Sequence, residues 1–496
     1  MTTAQETPPA LRTNHRPLAV ELRACPDPWD AFLRISHLPN ALFLDSNLPE
    51  TYTARYSFIT AEPVEFITFR NGWITHSTPS GINKLQAQPF EFIQKRLLNY
   101  QSNPIPELPP FQGGLAGVFS YDLCHNIEKL PRPLYDEFTL PEIAVGIYDW
   151  VISYDNLQQQ AWIISHGIRD QTIPKNQKLA EENICRLRAL LGEQSPRPAH
   201  ASMGRPPLPK SKLSPLTQFS AIPNLYSNFS KSEYLNSVEK IIDYIYDGDI
   251  FQANLSQRLL APSKTPSLEL YSHLRKINPG TFAAYFDAGF YQLLSASPER
   301  FLKVSDRIVE TRPIKGTRPR GYVPIEDMAQ QRELTESIKD SAENVMIVDL
   351  LRNDLSKVSQ PGSVKLNSLC QVRSNNYVHH LVSTIQATLR PTTSPFDLLR
   401  ATFPGGSITG APKVRAMEII SELESTVRGP YCGSLGYIGF DGSMDASILI
   451  RSFIVARGWL QFSVGGGIVA KSDPEKEYTE TLHKAEGLLR VLQTIN

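Results

Sequence analysis

The chain has 496 residues, which is enough for several typical domains or for one large unit of helices and strands. Apolar residues make up 41% and charged residues 20%, as in globular proteins that bury a large core. Lys and Arg number 50 together, as do Asp and Glu, and this balance argues against a nucleic-acid-binding or membrane-surface protein. The five cysteines are scattered without a CxxC pair, so we expect reduced thiols in a cytosolic protein, without a disulfide framework or zinc site. We also expect no membrane span, because no apolar run reaches roughly 18 residues, and no export signal, because the N-terminus lacks an apolar core.

The first part of the chain alternates short strand-like runs with turns. Runs of β-branched and aromatic residues bounded by turn residues predict strands, and apolar residues at helical spacing predict helices. We therefore expect strands at 41–44 and 56–60, a helix at 90–98, a glycine-rich strand and turn at 111–117, a hairpin of strands 145–153 and 160–165, and a helix at 177–191.

Composition changes at residues 193–227, which are rich in proline, serine and small polar residues without periodicity. Such a composition predicts an exposed, flexible linker. The linker would divide the chain into an N-terminal region, residues 18–192, and a C-terminal region, residues 228–496.

The C-terminal region opens with a helix at 231–246, which Ser230 or Ser232 can cap and Gly248 ends. Helices are also predicted at 268–277, 334–351, 414–424 and from 472–475 to about 492. Strands are predicted at 251–261, 282–286, 291–295, 300–304, 308–311 and 378–389, and a meander at 435–440, 447–456 and 460–464. Strands and helices alternate without βαβ regularity, so antiparallel sheets in an α+β arrangement fit best.

A basic stretch at 309–321, VETRPIKGTRPRG, combines Arg312, Lys315, Arg318 and Arg320. Lys315 is a candidate nucleophile, because neighbouring positive charge lowers the pKa of an amine and frees its lone pair. The same arginines could hold an anionic substrate such as a carboxylate. The alternative is a basic turn on the surface.

Acidic residues on two helices suggest a metal site. Glu477 and Glu480 are three residues apart and project on one helix face, and the helix at 334–351 offers Glu343 together with Glu336 and Asp340. Carboxylates from two helices suit Mg²⁺, which takes few protein ligands and leaves waters or substrate oxygens to complete an octahedron. Two solvated helix faces are the alternative.

Three further features are candidate binding elements. The loop 403–413 precedes a helix, so its N–H groups could hold a carboxylate, or it could be only a tight turn. Gly465, Gly466 and Gly467 would let the backbone approach a ligand, or would form a bulge. Tyr437 and Arg451, on adjacent predicted strands, could face one cavity, with ordinary packing as the alternative.

The pair His379 and His380 lies on a predicted strand, where successive side chains point to opposite faces. At most one of the two can therefore enter a given site, and either could be a core histidine. No HExxH pattern or third ligand accompanies them, which argues against zinc.

A series of stretches in the C-terminal region resembles the chorismate-utilising enzymes, a family of anthranilate, aminodeoxychorismate, isochorismate and salicylate synthases. The stretches are SASPERF (295–301), TRPIKGTRPRG (311–321), SAENVMIVDLLRNDL (341–355), VHHLVST (378–384), FPGGSITGAPKVRAMEII (403–420), GYIGFDG (436–442), ILIRS (448–452) and GGGIVAKSDPEKEYTETLHKA (465–485). The N-terminal region is similar to the family less densely, through LFLDS (42–46), RYSFITAEP (55–63) and FQGGLAGVFSYD (111–122).

The resemblance implies a fold of large antiparallel sheets in a two-layer sandwich flanked by helices. It also implies a reaction, because the residue before Gly316 separates subgroups: anthranilate synthases resemble PIAGT, whereas this chain has PIKGT. By resemblance to the aminodeoxychorismate synthases, Lys315 attacks C2 of chorismate, the 4-hydroxyl departs, and ammonia adds at C4 and expels the lysine.

The resemblance further implies roles for other residues. Glu299 matches the catalytic acid, and His380 matches the histidine that assists proton transfer or leaving-group departure. The Mg²⁺ ligands match Glu343 and Glu480, with Glu477 nearby. The chorismate contacts match Gly316, Thr317, Tyr437, Arg451, Gly465, Gly466 and Gly467.

A glutaminase nucleophile elbow is not found in the sequence, so the resemblance implies ammonia from solution or from a separate glutamine amidotransferase subunit. A tryptophan site of the kind found in anthranilate synthases would use Ser46, Arg55, Tyr56 and Ser57, although LFLDS departs from the usual LLES. The alternatives are an anthranilate synthase, an isochorismate synthase and a catalytically silent scaffold that holds an amidotransferase.

Overall fold

The computed structural model of the chain describes residues 15–23, 26–48, 54–169, 176–192, 206–219, 222–321, 323–374 and 378–495. Before residue 228 the strands are β1 (Leu18–Glu21), β2 (Leu42–Asp45), β3 (Tyr56–Thr60), β4 (Glu65–Arg70), β5 (Trp73–Thr78), β6 (Gly81–Gln86), β7 (Gly114–Phe119), β8 (Ile143–Tyr148), β9 (Trp150–Asp155), β10 (Gln160–Ser165), β11 (Thr217–Gln218) and β12 (Tyr226–Ser227). After residue 228 they are β13 (Gln252–Pro262), β14 (Phe282–Asp287), β15 (Gln292–Ser297), β16 (Arg300–Ser305), β17 (Ile308–Arg312), β18 (Ile314–Pro319), β19 (Lys365–Ser374), β20 (Val378–Thr388), β21 (Gly410–Ala411), β22 (Ser434–Gly439), β23 (Met444–Ile448), β24 (Ser452–Ala456) and β25 (Trp459–Ile468). The helices are α1 (Pro28–Ile35), α2 (Pro89–Leu98), α3 (Cys124–Ile127), α4 (Gln177–Gly192), α5 (Lys231–Tyr246), α6 (Ser267–Ile277), α7 (Pro324–Glu336), α8 (Ile338–Ser356), α9 (Pro395–Thr402), α10 (Lys413–Leu423) and α11 (Pro474–Ile495).

The strands form two large antiparallel sheets. In the first sheet the order is β1-β10-β9-β3-β2-β14-β15-β24-β25-β13-β12-β11, and β21 also pairs with β13. In the second sheet the order is β18-β20-β17-β16-β23-β22-β7-β8-β4-β5-β6, and β19 also pairs with β20.

An apolar core lies between the two sheets. Leu42 and Val151 enter it from the first sheet, and Val118 and Tyr148 enter it from the second. Helices α1, α4, α6 and α11 cover the outer face of the first sheet, whereas α2, α8 and α9 cover the outer face of the second. The predicted α+β fold, with large antiparallel sheets in a two-layer sandwich flanked by helices, is confirmed.

Helix α5 shows how local sequence sets the start of an element. The Ser230 hydroxyl accepts from the Glu233 N–H, and the Glu233 carboxylate accepts from the Ser230 N–H, which forms a capping box. The apolar face of the helix, with Tyr234, Val238 and Ile241, packs against β13. The predicted helix at 231–246 is confirmed with the same limits.

Two predicted strands are wrong because each is split between the sheets. The run 145–153 contains the end of β8, in the second sheet, and the start of β9, in the first. The buried Asp149 between them accepts from the Ser165 hydroxyl at 3.0 Å and the Ile168 N–H at 2.9 Å. The run 447–456 likewise contains the end of β23 and all of β24, so the predicted meander does not lie in one sheet. An apolar run along the chain carries no sign of such a change of direction.

The predicted helix at 334–351 is instead the end of α7 and most of α8. The break lies at Ser337, whose hydroxyl accepts from the Asp340 N–H at 3.2 Å and caps α8. Ile338, the first residue of α8, is exposed. The apolar residues whose helical spacing predicts the helix therefore do not all pack against the core.

Both sheets contain strands from the two sides of the predicted linker, since β2 pairs with β14 and β7 pairs with β22. Residues 193–205 and 220–221 of that linker lie outside the described residues. Its described remainder is packed, with Leu208, Leu213, Phe219 and Leu225 buried, in contrast to the exposed linker expected from composition. The division into regions 18–192 and 228–496 stays a prediction about the sequence.

No helix among the described residues has the length and apolar character needed to cross a bilayer. Cys124, Cys185, Cys370 and Cys432 are free thiols. Cys25 lies outside the described residues. So do the first 14 residues, on which the expectation of no export signal rests.

Candidate active site

The candidate site lies where the chain crosses from one sheet to the other. Strand β15 belongs to the first sheet and β16 to the second, so Pro298 and Glu299 form the link between them. The link between β23 and β24 crosses beside it. The Ile448 N–H donates to the Glu299 carbonyl at 3.0 Å, and the Ala296 N–H donates to the Arg451 carbonyl at 3.1 Å. These bonds hold Glu299 and Arg451 on two adjacent chain crossings.

Lys315 enters the site from strand β18. It pairs with Leu381 of β20, and the register then shifts so that Thr317 pairs with His380. Gly316 forms the bulge, with φ of +73°, and a Cβ there would lie 2.7 Å from the Leu334 side chain. Only glycine suits both conditions, so the bulge turns the chain directly after Lys315.

The arginines near Lys315 bind carboxylates of the protein itself, which corrects the hypothesis that they bind an anionic substrate. Each is in an ion pair: Arg312 with Glu310, Arg318 with Glu333 and Asp340, and Arg320 with Asp327. The last two arginines thereby fasten β18 to helices α7 and α8.

Burial is the main reason that the pKa of Lys315 is lowered. The charge of Lys484 lowers the pKa further, while the carboxylates of Glu343, Glu299 and Glu480 oppose the shift. The amine of Lys315 donates to the carbonyl oxygen of Ser407 at 3.3 Å. A lowered pKa favours the neutral amine, as a nucleophile requires. The cause is burial and Lys484, not the arginines that the sequence suggested.

Glu299 is only 5% exposed, and burial raises the pKa of its carboxyl to about 7. The Ser407 hydroxyl, the charge of Lys315 and the Ile314 N–H each stabilise the carboxylate and limit the rise. A carboxyl with this pKa is partly protonated near neutrality and can donate a proton. Ser407 thus contacts both Glu299 and Lys315.

The predicted metal ligands come together on one side of the site. A Cβ placed on Gly466 would lie 3.5 Å from Glu477 Oε2 and 3.6 Å from Glu480 Oε1, so both carboxylates of α11 face this glycine. Lys339 of α8 pairs with Glu477 at 3.2 Å and with Glu343 at 4.0 Å. The three carboxylates therefore share a small region with Lys339. Glu480 also pairs with Lys484.

The carboxylates of this group affect one another and lie beside ammonium groups. Burial raises the pKa of Glu343, and the charge of Glu480 adds to the rise. Burial also acts to raise the pKa of Glu480, but its bond to Lys484, at 2.6 Å, outweighs this and the pKa is lowered. Within the described residues, no three His, Cys, Asp or Glu side chains are close enough to hold a metal. Mg²⁺ needs only one or two carboxylates, and oxygen donors that now attract ammonium groups fit such an ion.

His380 and Arg451 are close enough to affect each other electrostatically. Burial lowers the pKa of His380 to about 4, and the charge of Arg451 contributes, so the imidazole is neutral at pH 7. Its Nδ1 is 3.0 Å from Thr317 Oγ1. Within the described residues the Arg451 guanidinium has no hydrogen bond or ion pair, and burial alone lowers its pKa. A half-buried cation of this kind is a ready site for a carboxylate.

The other histidine, His379, turns to the opposite side of β20, as the alternation of a strand predicts. Its Nε2 is 2.9 Å from Asp327, and its Nδ1 is 2.6 Å from the Ser374 hydroxyl. It therefore belongs to the hydrogen bonds that hold α7.

The glycines at the end of β25 lie against β13. A Cβ on Gly465 would lie 2.3 Å from the Leu255 carbonyl oxygen, and one on Gly467 would lie 2.5 Å from Gln252 Nε2. Gln252 is fully buried, and neither polar atom of its amide has a hydrogen-bond partner among the described residues. Such an amide beside Gly467 offers a donor and an acceptor to a polar ligand.

A family model for chorismate binding enzymes matches residues 50–490 of the chain. The chain belongs to this family. Aminodeoxychorismate synthase component 1 of Salmonella typhimurium is 39% identical over 464 residues, which cover 93% of this chain and 95% of that protein. Anthranilate synthase component 1 of Acetivibrio thermocellus is 36% identical over 467 residues, which cover 94% of this chain and 92% of that protein.

The fold agrees with a solved structure from the same family of chorismate-binding enzymes. The crystal structure of anthranilate synthase component I from Streptococcus pneumoniae matches with a TM-score of 0.75 and 31% sequence identity. The match covers 88% of this chain and 92% of that one. The predicted family membership is thereby confirmed.

Tyr437 lies apart from the other residues that were predicted to contact the substrate. Its ring stacks on Phe111 at 4.5 Å and meets Phe58 edge-on at 5.6 Å, between the two sheets. It lines a cavity that does not include Lys315 or Glu299. The structure therefore places Tyr437 with the sandwich core.

That same cavity contains half of the predicted tryptophan site. Ser46 and Tyr56 line it. Arg55 is instead bound to Asp155 at 2.6 Å, and the Ser57 hydroxyl accepts from the Ser46 N–H at 3.2 Å. The tryptophan site stays a prediction.

Sequence reasoning missed four residues of the site in this chorismate-binding chain: Ser407, Lys339, Lys484 and Gln252. The two lysines had a readable signal, since each lies four positions from a predicted ligand, Glu343 or Glu480, on the same helix face. Ser407 lies in the loop 403–413, for which the sequence left open a carboxylate site or only a tight turn. The Lys413 of that loop is structural, because its amine donates to the Thr402 and Pro404 carbonyls at 2.8 and 2.9 Å.

Proposed function

We propose that the chain is component I of an aminodeoxychorismate synthase, a transferase that converts chorismate and ammonia to 4-amino-4-deoxychorismate and water. The observation that carries this proposal is Lys315. Its amine is buried, has a lowered pKa and lies beside Glu299. Anthranilate synthases resemble PIAGT here, with alanine in place of this lysine. A nucleophile and a proton donor are thus present in one pocket.

In the first step, the neutral amine of Lys315 forms a bond to C2 of chorismate. Both ring double bonds shift, from C1=C2 and C5=C6 to C1=C6 and C4=C5, and the C4–O bond breaks. Glu299, whose pKa of about 7 leaves it partly protonated, gives its proton to the departing hydroxyl, which leaves as water. The carboxylate then takes a proton from the lysine nitrogen.

In the second step, ammonia forms a bond to C4 and the bond between C2 and Lys315 breaks. Glu299 returns its proton to the lysine nitrogen, so Lys315 leaves as a neutral amine. The new ammonium group at C4 gives a proton back to Glu299, which restores the starting state. His380, neutral with a pKa of about 4 and bonded to Thr317, assists proton transfer at the leaving hydroxyl.

Chorismate carries two carboxylates, and the pocket offers separate partners for them. Arg451 provides a half-buried cation that has no hydrogen bond or ion pair within the described residues. The N–H groups of Gly465, Gly466 and Gly467, together with Gly316 and Thr317, provide backbone and hydroxyl donors. Tyr437 is left out of this set because of its place in the core.

Mg²⁺ is part of the proposal, held by Glu343 and Glu480 with Glu477 beside them. When bound, it neutralises a substrate carboxylate that would otherwise repel Glu299. Lys339 and Lys484 then act as the counter-charges of the carboxylates that the ion does not take.

Ammonia comes from a separate glutamine amidotransferase subunit, or from solution in its absence. The relatives named component 1 support a second component. The product leads to 4-aminobenzoate in folate biosynthesis. We place the protein in the cytoplasm, in keeping with its free thiols.

The second candidate is anthranilate synthase component I, which the 36% identity to the Acetivibrio thermocellus protein favours. One assay separates them: the purified chain is incubated with chorismate, Mg²⁺ and excess ammonium, and the product is identified by mass and fluorescence. We expect 4-amino-4-deoxychorismate, with loss of turnover and of any covalent adduct in Lys315→Ala. Anthranilate as the main product would overturn the proposal, and an adduct that persists in Lys315→Ala would overturn the role of the lysine.

A further inference from the structure

A deeply buried ion pair lies behind the active site. Arg428 and Glu424 have side chains that are 3% and 4% exposed, and Arg428 Nη2 is 2.7 Å from Glu424 Oε1. A second bond joins Arg428 Nε to Glu424 Oε2 at 2.8 Å, and the guanidinium lies over the Tyr121 ring. Neither charge touches Lys315 or Glu299. A pair buried this deeply is retained only when further hydrogen bonds satisfy both groups.

Those further bonds all go to the backbone or hydroxyl of two chain segments. Arg428 donates to the Ile408 carbonyl at 3.1 Å and to the Asn254 carbonyl at 2.6 Å. Glu424 Oε1 accepts from the Ser256 N–H at 2.7 Å and from its hydroxyl at 2.8 Å. The Arg428–Glu424 pair is therefore a clamp that ties the loop at Ile408 to strand β13.

Both segments lead directly to the site. Ile408 follows Ser407, whose carbonyl accepts from Lys315 and whose hydroxyl bonds to Glu299. Asn254 and Ser256 of β13 lie opposite Gly467 and Gly465 in the sheet. The ion pair thus helps to hold the loop that contacts the two reacting side chains against the strand that backs the glycines, together with the bond from the Asn254 N–H to the Thr409 carbonyl at 2.7 Å.

We propose that Arg428 and Glu424 are positioning residues, which hold the Ser407 carbonyl and hydroxyl in place for Lys315 and Glu299. The proposal rests on the function proposed above. A misplacement of about 1 Å in a reacting group lowers turnover by roughly 10²-fold. Loss of the clamp should therefore reduce kcat far more than it changes KM, because Arg451 and the glycine N–H groups remain.

The test uses two clamp variants of the full chain in the assay with chorismate, Mg²⁺ and ammonium. Arg428→Lys keeps the charge and an ion pair with Glu424, but a single ammonium group cannot reproduce the forked bonds to two carbonyls. The double variant Arg428→Met/Glu424→Leu removes both charges, so no unpaired charge is buried and the protein is expected to fold. For both we expect kcat to fall by roughly 10²-fold with KM for chorismate within about threefold.

The matched control is the pair Arg258–Glu137, in which both side chains are 6% exposed and the atoms are 2.6 Å apart. Arg258 lies on the same strand, β13, but its guanidinium bonds to Glu137 and to the Ser214 hydroxyl, not to the loop of Ser407. Arg258→Met/Glu137→Leu should leave kcat within about threefold of the unaltered protein. Thermal unfolding of all variants shows whether their stabilities match.

Three outcomes decide the matter. A kcat that falls equally in clamp and control variants of equal stability would make Arg428 and Glu424 merely structural and overturn the proposal. A KM that rises while kcat is unchanged would overturn it as well. If the unaltered chain forms no 4-amino-4-deoxychorismate, the function proposed above fails, and the clamp is then tested on the product that the chain does form.

Discussion

Glu299→Gln is the substitution whose effect follows most directly from the structure. Burial holds the pKa of this carboxyl at about 7 instead of its ordinary 4.5. Glutamine has nearly the same shape, and its Oε1 can still accept from the Ser407 hydroxyl and the Ile314 N–H. The variant therefore removes the ionisation of residue 299 and leaves its packing in place.

The free energy of unfolding should respond to pH in a definite direction. Between about pH 4.5 and pH 7 the folded protein keeps the proton on Glu299 while the unfolded chain releases it, so the unaltered protein loses stability as the pH rises. Each pKa unit corresponds to about 1.36 kcal/mol, so the loss reaches roughly 3 kcal/mol at pH 8. Glu299→Gln does not have this loss. We expect it to be about as stable as the unaltered protein near pH 4.5 and roughly 3 kcal/mol more stable at pH 8.

The assay is unfolding by urea, followed across pH 4.5 to 8 for the two proteins side by side. Ionisable groups that do not interact with residue 299 are common to both proteins and cancel in the difference. Activity is measured in the same preparations, where loss of the acid should reduce kcat by about 10²- to 10⁴-fold. A difference in stability that does not change with pH would refute the reasoning, because the pKa of Glu299 would then be the same in the folded and unfolded states.

Three further substitutions test separate parts of the pocket. Arg451→Met should raise KM for chorismate by roughly 10- to 10²-fold, since a hydrogen bond to a charged group contributes about 1.5–3 kcal/mol; unchanged KM would remove Arg451 from the substrate site. Glu343→Gln should raise the Mg²⁺ concentration for half-maximal activity at least about tenfold, whereas the exposed Glu336→Gln serves as control and should not; equal titrations would exclude Glu343 as a ligand. Gln252→Met should stabilise the free protein by roughly 1 kcal/mol, by removing two buried unpaired atoms, and should raise KM. An unchanged or lower KM would show that the substrate does not use the amide.

Elements set by nearby residues were predictable from the sequence. Helix α5 begins at the capping box of Ser230 and Glu233, and the prediction had its limits right. Strands that change sheets were not predictable, because the turn at Asp149 depends on Ser165 and Ile168, which are distant along the chain. The break at Ser337 was missed because apolar residues continue on both sides of it.

The site divides in the same way. Glu299 and Lys315 were recognised by resemblance, and the structure places them together. The sequence also suggested why Lys315 could be neutral, but it pointed to the wrong charges. Its neighbouring arginines bond to carboxylates of α7 and α8, and the lysine that lowers its pKa, Lys484, lies on the last helix. Proximity along the chain does not show which way a strand residue faces.

Lys315 and Glu299 are each shifted toward the neutral form, and each opposes the shift of the other. The charge of Lys315 favours the Glu299 carboxylate, and the charge of Glu299 favours the Lys315 ammonium, but burial outweighs both attractions. A neutral amine beside a neutral acid can attack and donate a proton, whereas an ion pair of the same two groups can do neither.

This balance predicts how one group responds when the other is removed. Glu299→Gln removes a charge that raises the pKa of Lys315, so more of the lysine should be neutral at pH 7 and its amine should acylate faster. The rate is followed by mass spectrometry of the peptide that contains Lys315, with acetic anhydride as reagent and the exposed Lys357 as internal reference. Unchanged or slower acylation of Lys315 relative to Lys357 would contradict the balance, because it would mean that no charge on Glu299 raises the pKa of Lys315. Faster acylation would show that the charge of Glu299 raises the pKa of Lys315. The residue proposed to supply the proton would then also limit how much of the lysine is neutral.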